Sequence, residues 1–187
     1  MKNLILLVFG LLIFIPKSHA GIGPHIGFGA PYITQFGLDF TLGDNITLSG
    51  GRNSIGGSID NVDISLAMTE VSLKWHPFSG SFFIGGGVGS QTLSVEAEEE
   101  LTGATASVDV DSTVTLAKLG WMWGKADGGL WFGIDFTYVI PSGGSVKVKA
   151  DGLTAADEEF QDAQEAGEVF AETSYLNITL ARLGYLF

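Results

Sequence analysis

LWFGIDFTYVI, residues 130–140, alternates without a slip. Leu130, Phe132, Ile134, Phe136, Tyr138 and Ile140 share one face; Trp131, Gly133, Asp135, Thr137 and Val139 share the other. A period of two is the side-chain repeat of a β-strand, and two unlike faces place the strand between unlike surroundings. The stretch is 11 residues long. A tilted strand needs roughly 9–11 residues to cross a bilayer. QFGLDFTL, 35–42, repeats the arrangement, with Phe36, Leu38, Phe40 and Leu42 set against Gln35, Gly37, Asp39 and Thr41.

Working outward from these segments, short turn signals fall at Gly43-Asp44-Asn45, His76 to Gly80 and Gly124 to Gly129. Longer polar stretches alternate with them, at 52–60, 96–104 and 141–172. Short turns at one end and long loops at the other are the asymmetry of a transmembrane barrel. Strands are expected at about 23–30, 33–42, 45–52, 61–75, 81–95, 105–123, 129–140 and 173–187. The fold class is therefore all-β: an eight-stranded antiparallel up-and-down transmembrane β-barrel. The alternative at the start is one long strand through Ile26–Leu42, because only Pro31 punctuates it, and proline is disfavoured inside a paired strand.

A packing argument orients the faces. The interior of an eight-stranded barrel is just wide enough to be filled by side chains. Several strands carry four to six large apolar residues on one face, and eight such faces cannot all point inward. They point into lipid, which leaves the small and polar faces inside, such as Gly85, Gly87, Gly89 and Gln91. Trp75, Phe82, Phe83, Trp121, Trp123, Trp131, Tyr185 and Phe187 lie beside the short turns or the C-terminus, and Tyr32, Tyr138 and Tyr175 at the opposite strand ends. Two bands of amphipathic rings suit the two membrane interfaces.

The first 20 residues have another character. Lys2 precedes an apolar run from Leu4 to Ile15, and Ser18-His19-Ala20 sets small residues at −3 and −1 of a cleavage site. Residues 1–20 are expected to be a signal peptide and 21–187 the barrel. The formal charge of −12 would become −14 on losing Lys2 and Lys17, an acidity that gives no electrostatic footprint for nucleic acid. The chain has no cysteine, as in exported proteins that dispense with disulfides.

The chain closes on LNITLARLGYLF, 176–187, where Ala181, Leu183, Tyr185 and Phe187 alternate with Leu180, Arg182, Gly184 and Leu186. A last strand with terminal Phe187, Tyr185 two residues earlier and Leu183 before it resembles the C-terminal signature of small bacterial outer-membrane β-barrels of the OmpA, OmpX and OmpW type. Leu176, Ile178, Leu180 and Leu186 depart from the pattern by making the second face apolar too. The resemblance implies that Phe187, Tyr185 and Leu183 form a signal read by the barrel-assembly machinery. It also implies a place in the bacterial outer membrane among lipid and lipopolysaccharide, as a monomer.

Six charged residues share the inferred inward faces: Asp39, Glu70, Lys74, Lys118, Asp135 and Arg182. Charges of both signs in a narrow lumen should pair, because an isolated buried charge is very costly. A network of Glu70, Lys118, Asp135 and Arg182 is expected to plug the lumen; the alternative is that it lines a proton or ion path. Catalysis of the lipid-modifying kind needs a nucleophile beside a base. Beyond the signal segment only His25 and His76 remain, neither with serine at neighbouring strand spacing. GGRNSIGG, 50–57, lacks the lysine of a phosphate-binding loop, and GGGVG, 85–89, lies within a strand. No cofactor is expected. Asp109, Asp111 and Glu96 to Glu100 supply oxygen ligands without EF-hand spacing, and read more simply as an acidic, solvated outer segment.

LTAADEEFQDAQEAGEVF, 153–170, is the one helical pattern. Thr154 and Asp157 fit a capping box, and Ala156, Phe160, Ala163, Gly167 and Phe170 form a stripe. It reads either as a short helix lying on the rim or a partner, or as a solvated acidic loop. The function expected is a non-enzymatic structural or surface-interaction role in the envelope. The alternatives are a narrow pore or a route for a small apolar ligand, and thirdly a lipid A-modifying enzyme.

Overall fold

The computed structural model describes residues 21–187 apart from 60–61, 99–104, 126–127 and 151–157. The segment expected to be a signal peptide, 1–20, and the Thr154–Asp157 cap lie outside the described residues. Eight strands form a closed ring: β1 (Gly21–Ala30), β2 (Thr34–Leu42), β3 (Ile46–Ile59), β4 (Val62–Trp75), β5 (Phe82–Glu98), β6 (Thr105–Trp123), β7 (Gly129–Ala150) and β8 (Tyr175–Leu186). Each pairs antiparallel with its sequence neighbours, and β1 closes on β8. The chain breaks after Ala30, so Pro31 does separate two strands.

The lower part of the ring has a polar interior and an apolar exterior. Ile26 is 64% exposed, Leu38 55%, Val88 61% and Leu180 59%, a continuous apolar belt that only lipid covers at low cost. Phe82, Trp121, Trp123 and Phe132 form a run of neighbouring rings at its lower edge, with centroids 5.5–6.5 Å apart. Four aromatics expected in the girdles turn inward instead: Phe83, Trp131 and Tyr32 are buried, and Tyr175 joins Tyr32 inside. Strand parity, opposite to Phe82 and Phe132, turns Phe83 and Trp131 inward, while Tyr32 lies in the β1–β2 connection and meets Tyr175 at the start of β8.

Five strands rise well above the belt. Residues 52–59 and 141–150, expected in outer loops, are strand, because GGRNSIGGSI pairs in register with β4, and PSGGSVKVKA pairs with β6 across one register shift between Ser142 and Ser145. β2 stops at Thr34, opposite Ser54, and β8 starts at Tyr175, opposite Val139, so the extension is an open five-stranded wall, β3–β7. Along that wall the faces exchange character. Ile55, Ile64, Leu66, Leu93, Val95, Val108, Val110, Val146 and Val148 lie on the inward face, and Ser54, Asp63, Ser94, Asp109, Asp111 and Lys147 on the outward one. Lipid dictates apolar-out; water above the membrane dictates apolar-in.

Helix α1 (Glu158–Glu172) lies against this inner apolar face. A Cβ on Gly167 would sit 2.8 Å from Val146 and 3.2 Å from Val110, so glycine lets the helix approach closely. Phe170 packs onto a buried cluster of Tyr32, Leu66, Met68, Val114, Leu116 and Val139. The helical reading of 153–170 therefore holds over 158–170, with Gly167 and Phe170 on the packed side.

A β-bulge explains the blurred final strand. The register of β8 shifts by one between Thr179 and Ala181 against β1, and between Thr179 and Arg182 against β7. The outward set is thus Leu176, Ile178 and Leu180 before the bulge, and Leu183, Tyr185 and Phe187 after it. Below the bulge, the Trp131 indole lies across Gly184, where a Cβ would fall 2.3–2.5 Å from three ring atoms. Overpacking of this kind costs about 1–3 kcal/mol or more. Gly184→Val should lower the thermal midpoint at which the compact, unboiled band is lost in SDS gels; an unchanged midpoint would contradict the packing described.

Candidate functional site

The lumen is built in three tiers. The lowest holds Phe83, Met122, Trp131 and Leu186. The middle tier carries the charge. Asp39, Glu70, Lys74, Lys118, Asp135 and Arg182, which sequence parity turned inward, are all buried there. Their strands supply them at alternate positions beside glycine: Gly37 next to Asp39, Gly85 opposite Lys74 and Lys118, Gly120 opposite Asp135. Long side chains fill the space that the glycines leave.

Three separate ionic groups result. Lys118 donates to Glu70. Arg182 Nη2 is 2.9 Å from Asp135 Oδ2 and donates to Gln35 Oε1 at 3.1 Å. Thr137 and Thr179 donate to the remaining Asp135 oxygen at 3.0 and 3.2 Å. The third group centres on Asp39, which takes Lys74 Nζ at 3.2 Å, His25 Nδ1 at 2.8 Å and the Ser49 hydroxyl. The structure thus brings Glu70 to Lys118 and Asp135 to Arg182, as two pairs with no hydrogen bond between the pairs among the described residues.

Sequence reasoning missed His25 and Gln35 as members. The signal was there: His25 shares its face with Gly21, Gly23 and Gly27, and Gln35 with Asp39. A carboxylate 2.8 Å from an imidazole is also half of a catalytic arrangement. Here the neighbours around the rest of that ring are Gly37, Gly51 and Trp131, and no hydroxyl bonds the second nitrogen among the described residues.

The upper tier is mostly apolar, with Asn53 and Ser112 buried on its inward face and one chain of hydrogen bonds, in which Tyr32 Oη meets Tyr175 Oη at 2.5 Å and Tyr175 donates to Gln91 at 2.7 Å. On the outer face of the wall, Asp109 and Asp111 accept from Ser94 and Thr92 at 2.6 and 2.7 Å, with Lys147 3.7 Å from Asp111. No grouping of His, Asp or Glu suited to a metal occurs among the described residues.

The short turns close the lower end. Asn45 Nδ2 donates to the His76 carbonyl at 2.7 Å, and the His76 N–H to the Asn45 carbonyl at 2.7 Å. His76 Nδ1–H lies 3.1 Å from both Gly80 O and Phe82 O, which makes Nε2 the acceptor for Thr47 Oγ1 at 3.3 Å. Burial, and then the nearby Lys125, hold the pKa of this neutral imidazole down to about 4.

Polar lumen, apolar belt, aromatic lower edge and a closed antiparallel ring define a β-barrel of the outer-membrane type. Solved structures share that fold. The chain aligns with Acinetobacter baumannii CarO at a TM-score of 0.52 and 11% identity, covering 92% of this chain and 100% of that one. A major outer membrane protein from Thermus thermophilus aligns at a TM-score of 0.51 and 11% identity, again over 92% of this chain and 100% of that one. No protein-family model and no curated protein matches the chain in sequence.

Two outcomes are expected from this geometry. Arg182→Gln leaves Asp135 buried without its cation and should destabilise the barrel by about 3–5 kcal/mol in detergent unfolding. Adding Asp135→Asn should restore part of that loss. As for pH, a lowered folded-state pKa means that the unfolded chain takes the His76 proton first. The His76 contribution is intact above its ordinary 6.5 and is lost as pH falls toward about 4. His76→Gln should flatten the stability profile across that interval relative to the parent; parallel profiles would exclude it.

Proposed function

We propose that the chain is a non-enzymatic integral protein of the bacterial outer membrane, with a structural and surface-interaction role and a lumen that does not conduct. The observation that carries this reading is the middle tier. Lys118–Glu70, Arg182–Asp135 and the Asp39 group are all at most 7% exposed, and together they occupy the lumen at mid-height. Eight-stranded interiors are filled rather than open. With Thr137, Thr179 and Gln35 holding the Arg182–Asp135 pair and Ser49 the Asp39 group, the ion pairs form a fixed plug, and swinging one partner away would strand the other charge.

Lipid and lipopolysaccharide are its surroundings in this reading. The barrel-assembly machinery recognises Phe187, Tyr185 and Leu183, all of which face outward after the β8 bulge. The protein acts as a monomer. The interactive part is the tall wall, water-facing outside and apolar inside.

A second reading draws on the upper tier. Its apolar lining, roofed on one side by α1 and Phe170, favours holding a small apolar ligand above the plug rather than passing it through. A lipid-modifying activity has less to support it, since no hydroxyl bonds the His25 ring of the Asp39–His25 pair among the described residues.

Planar-bilayer recording of the purified protein is the test. The expected trace has no stable unitary steps, and Arg182→Gln should raise leak or noise. Reproducible single-channel steps from the parent protein would overturn the plug and favour the pore.

A further inference from the structure

We propose that Arg52 is a binding site for the phosphate of an outer-leaflet glycolipid of the lipid A kind. The proposal rests on the membrane reading and adds a residue and a ligand group to it.

The chain carries 9 Lys and Arg residues, of which Lys2 and Lys17 lie in the first 20. Lys74, Lys118 and Arg182 are buried in the lumen, and Lys125 is buried at the lower turn, where it donates to the Asp44 carbonyl at 2.5 Å. Lys147 and Lys149 ride on the outer face of the wall, Lys147 beside Asp111. That leaves Arg52, exposed on the outward face of β3 and in no ion pair with another described residue.

Its place in the register is specific. Arg52 pairs with Phe36 on β2 and Thr69 on β4, and continuing across the sheet the partners are Ser90, Thr113 and Ser142. This rung is the first polar one above the belt. The rung directly below it on the same face runs Leu38, Gly50, Val71 and Val88, with Phe40, Leu48 and Leu73 beneath, and the rung above runs Thr34, Ser54, Ala67 and Thr92. An outward arginine costs about 2–4 kcal/mol at the bilayer midplane and nearly nothing at the interface. Arg52 therefore sits where headgroup phosphates sit, with room for acyl chains along the apolar side chains beneath.

The surface beside it is concave. A recess of about 360 Å³ opens where β2 ends and β3 continues, lined by Arg52, Ile33, Thr34, Ser54 and Ser65 among others. Three hydroxyls, of Thr34, Ser54 and Ser65, and a guanidinium around a recess match a phosphate on a sugar, since the planar guanidinium binds phosphate oxygens two at a time. The outward carboxylates Asp109 and Asp111 stand on β6, away from this edge, and Asp63, engaged by Ser58, pairs with Glu96 three rungs higher. In an acidic chain, this is where an anionic headgroup is drawn rather than repelled.

The purified barrel in non-ionic detergent would be titrated with bis-phosphorylated lipid A, with its dephosphorylated form and with inorganic phosphate, bound copies being counted by native mass spectrometry. The expected result is a lipid A adduct on the parent protein, weakened about tenfold by Arg52→Ala, less by Arg52→Lys, and unchanged by Lys147→Gln with Lys149→Gln. The dephosphorylated lipid should bind about as weakly as the variant does, and inorganic phosphate should neither bind nor compete. Equal adducts on parent and Arg52→Ala, or on both forms of the lipid, would overturn the site. Loss on removing Lys147 and Lys149 would replace it with diffuse surface charge, and competition by inorganic phosphate with a soluble-anion site. The heat-shifted gel band, measured on the same samples, separates this result from the membrane reading: a variant that keeps the band and loses the adduct has lost only the lipid.

Discussion

At bilayer depth no water is available to a peptide group, so every N–H and C=O there must find its partner within the protein. Closing β1 on β8 meets that demand. Without that pairing, each of the two strands would present a row of unpaired donors and acceptors to hydrocarbon, at several kcal/mol per group. Closure in turn fixes the rest. It makes one side of every strand face a narrow lumen, which forces glycine opposite lysine and arginine, and it makes the other face lipid. The bulge in β8 belongs to the same account. It shifts parity at the closing strand so that Leu176 to Leu180 and Leu183 to Phe187 both reach lipid, while Thr179 and Arg182 both reach Asp135.

The same strands obey two solvents. β6 shows it without any change of parity: Leu119, Trp121 and Trp123 face out where lipid surrounds the barrel, and Asp109 and Asp111 face out where water does. Inside, Lys118 gives way to Leu116, Val114 and Val110. The crossover rung marks the membrane boundary more sharply than length does, because it is read from neighbouring strands at once. Above it the chain behaves as a soluble sheet, and like any one-sided sheet it needs a cover, which α1 provides over β6 and β7.

Much of this was legible in the sequence. Period-two segments such as 130–140 have no helical reading, and the six lumen charges shared parity with glycine and threonine. What escaped was the wall. Residues 52–59 and 141–150 are rich in Gly and Ser, whose weak strand preference mimics a loop; their pairing partners, Val62 to Thr69 and Ala106 to Val114, make them strands. The inward turn of Trp131 and Tyr32 was hidden for another reason. Aromatics near strand ends suit both an interface girdle and a lumen floor, and only parity counted against a neighbour with known facing separates them. Of the second apolar face in 176–187, Leu176, Ile178 and Leu180 reflect the bulge, and Leu186 belongs to the lumen floor.

The wall also bears on how such a barrel holds its orientation. Its outer surface carries Asp63, Asp109, Asp111, Lys147 and Lys149 on strands that continue unbroken from the lipid belt. At the opposite end, the turns after β2 and β4 are tight and stapled together by Asn45 and His76. To slide back through the bilayer, the molecule would have to drag a charged, fully paired sheet through hydrocarbon, or unzip it first. The wall's outward charges thus act as a stop: drawing it down to bilayer depth would strip them of water, a cost that the apolar belt below does not carry.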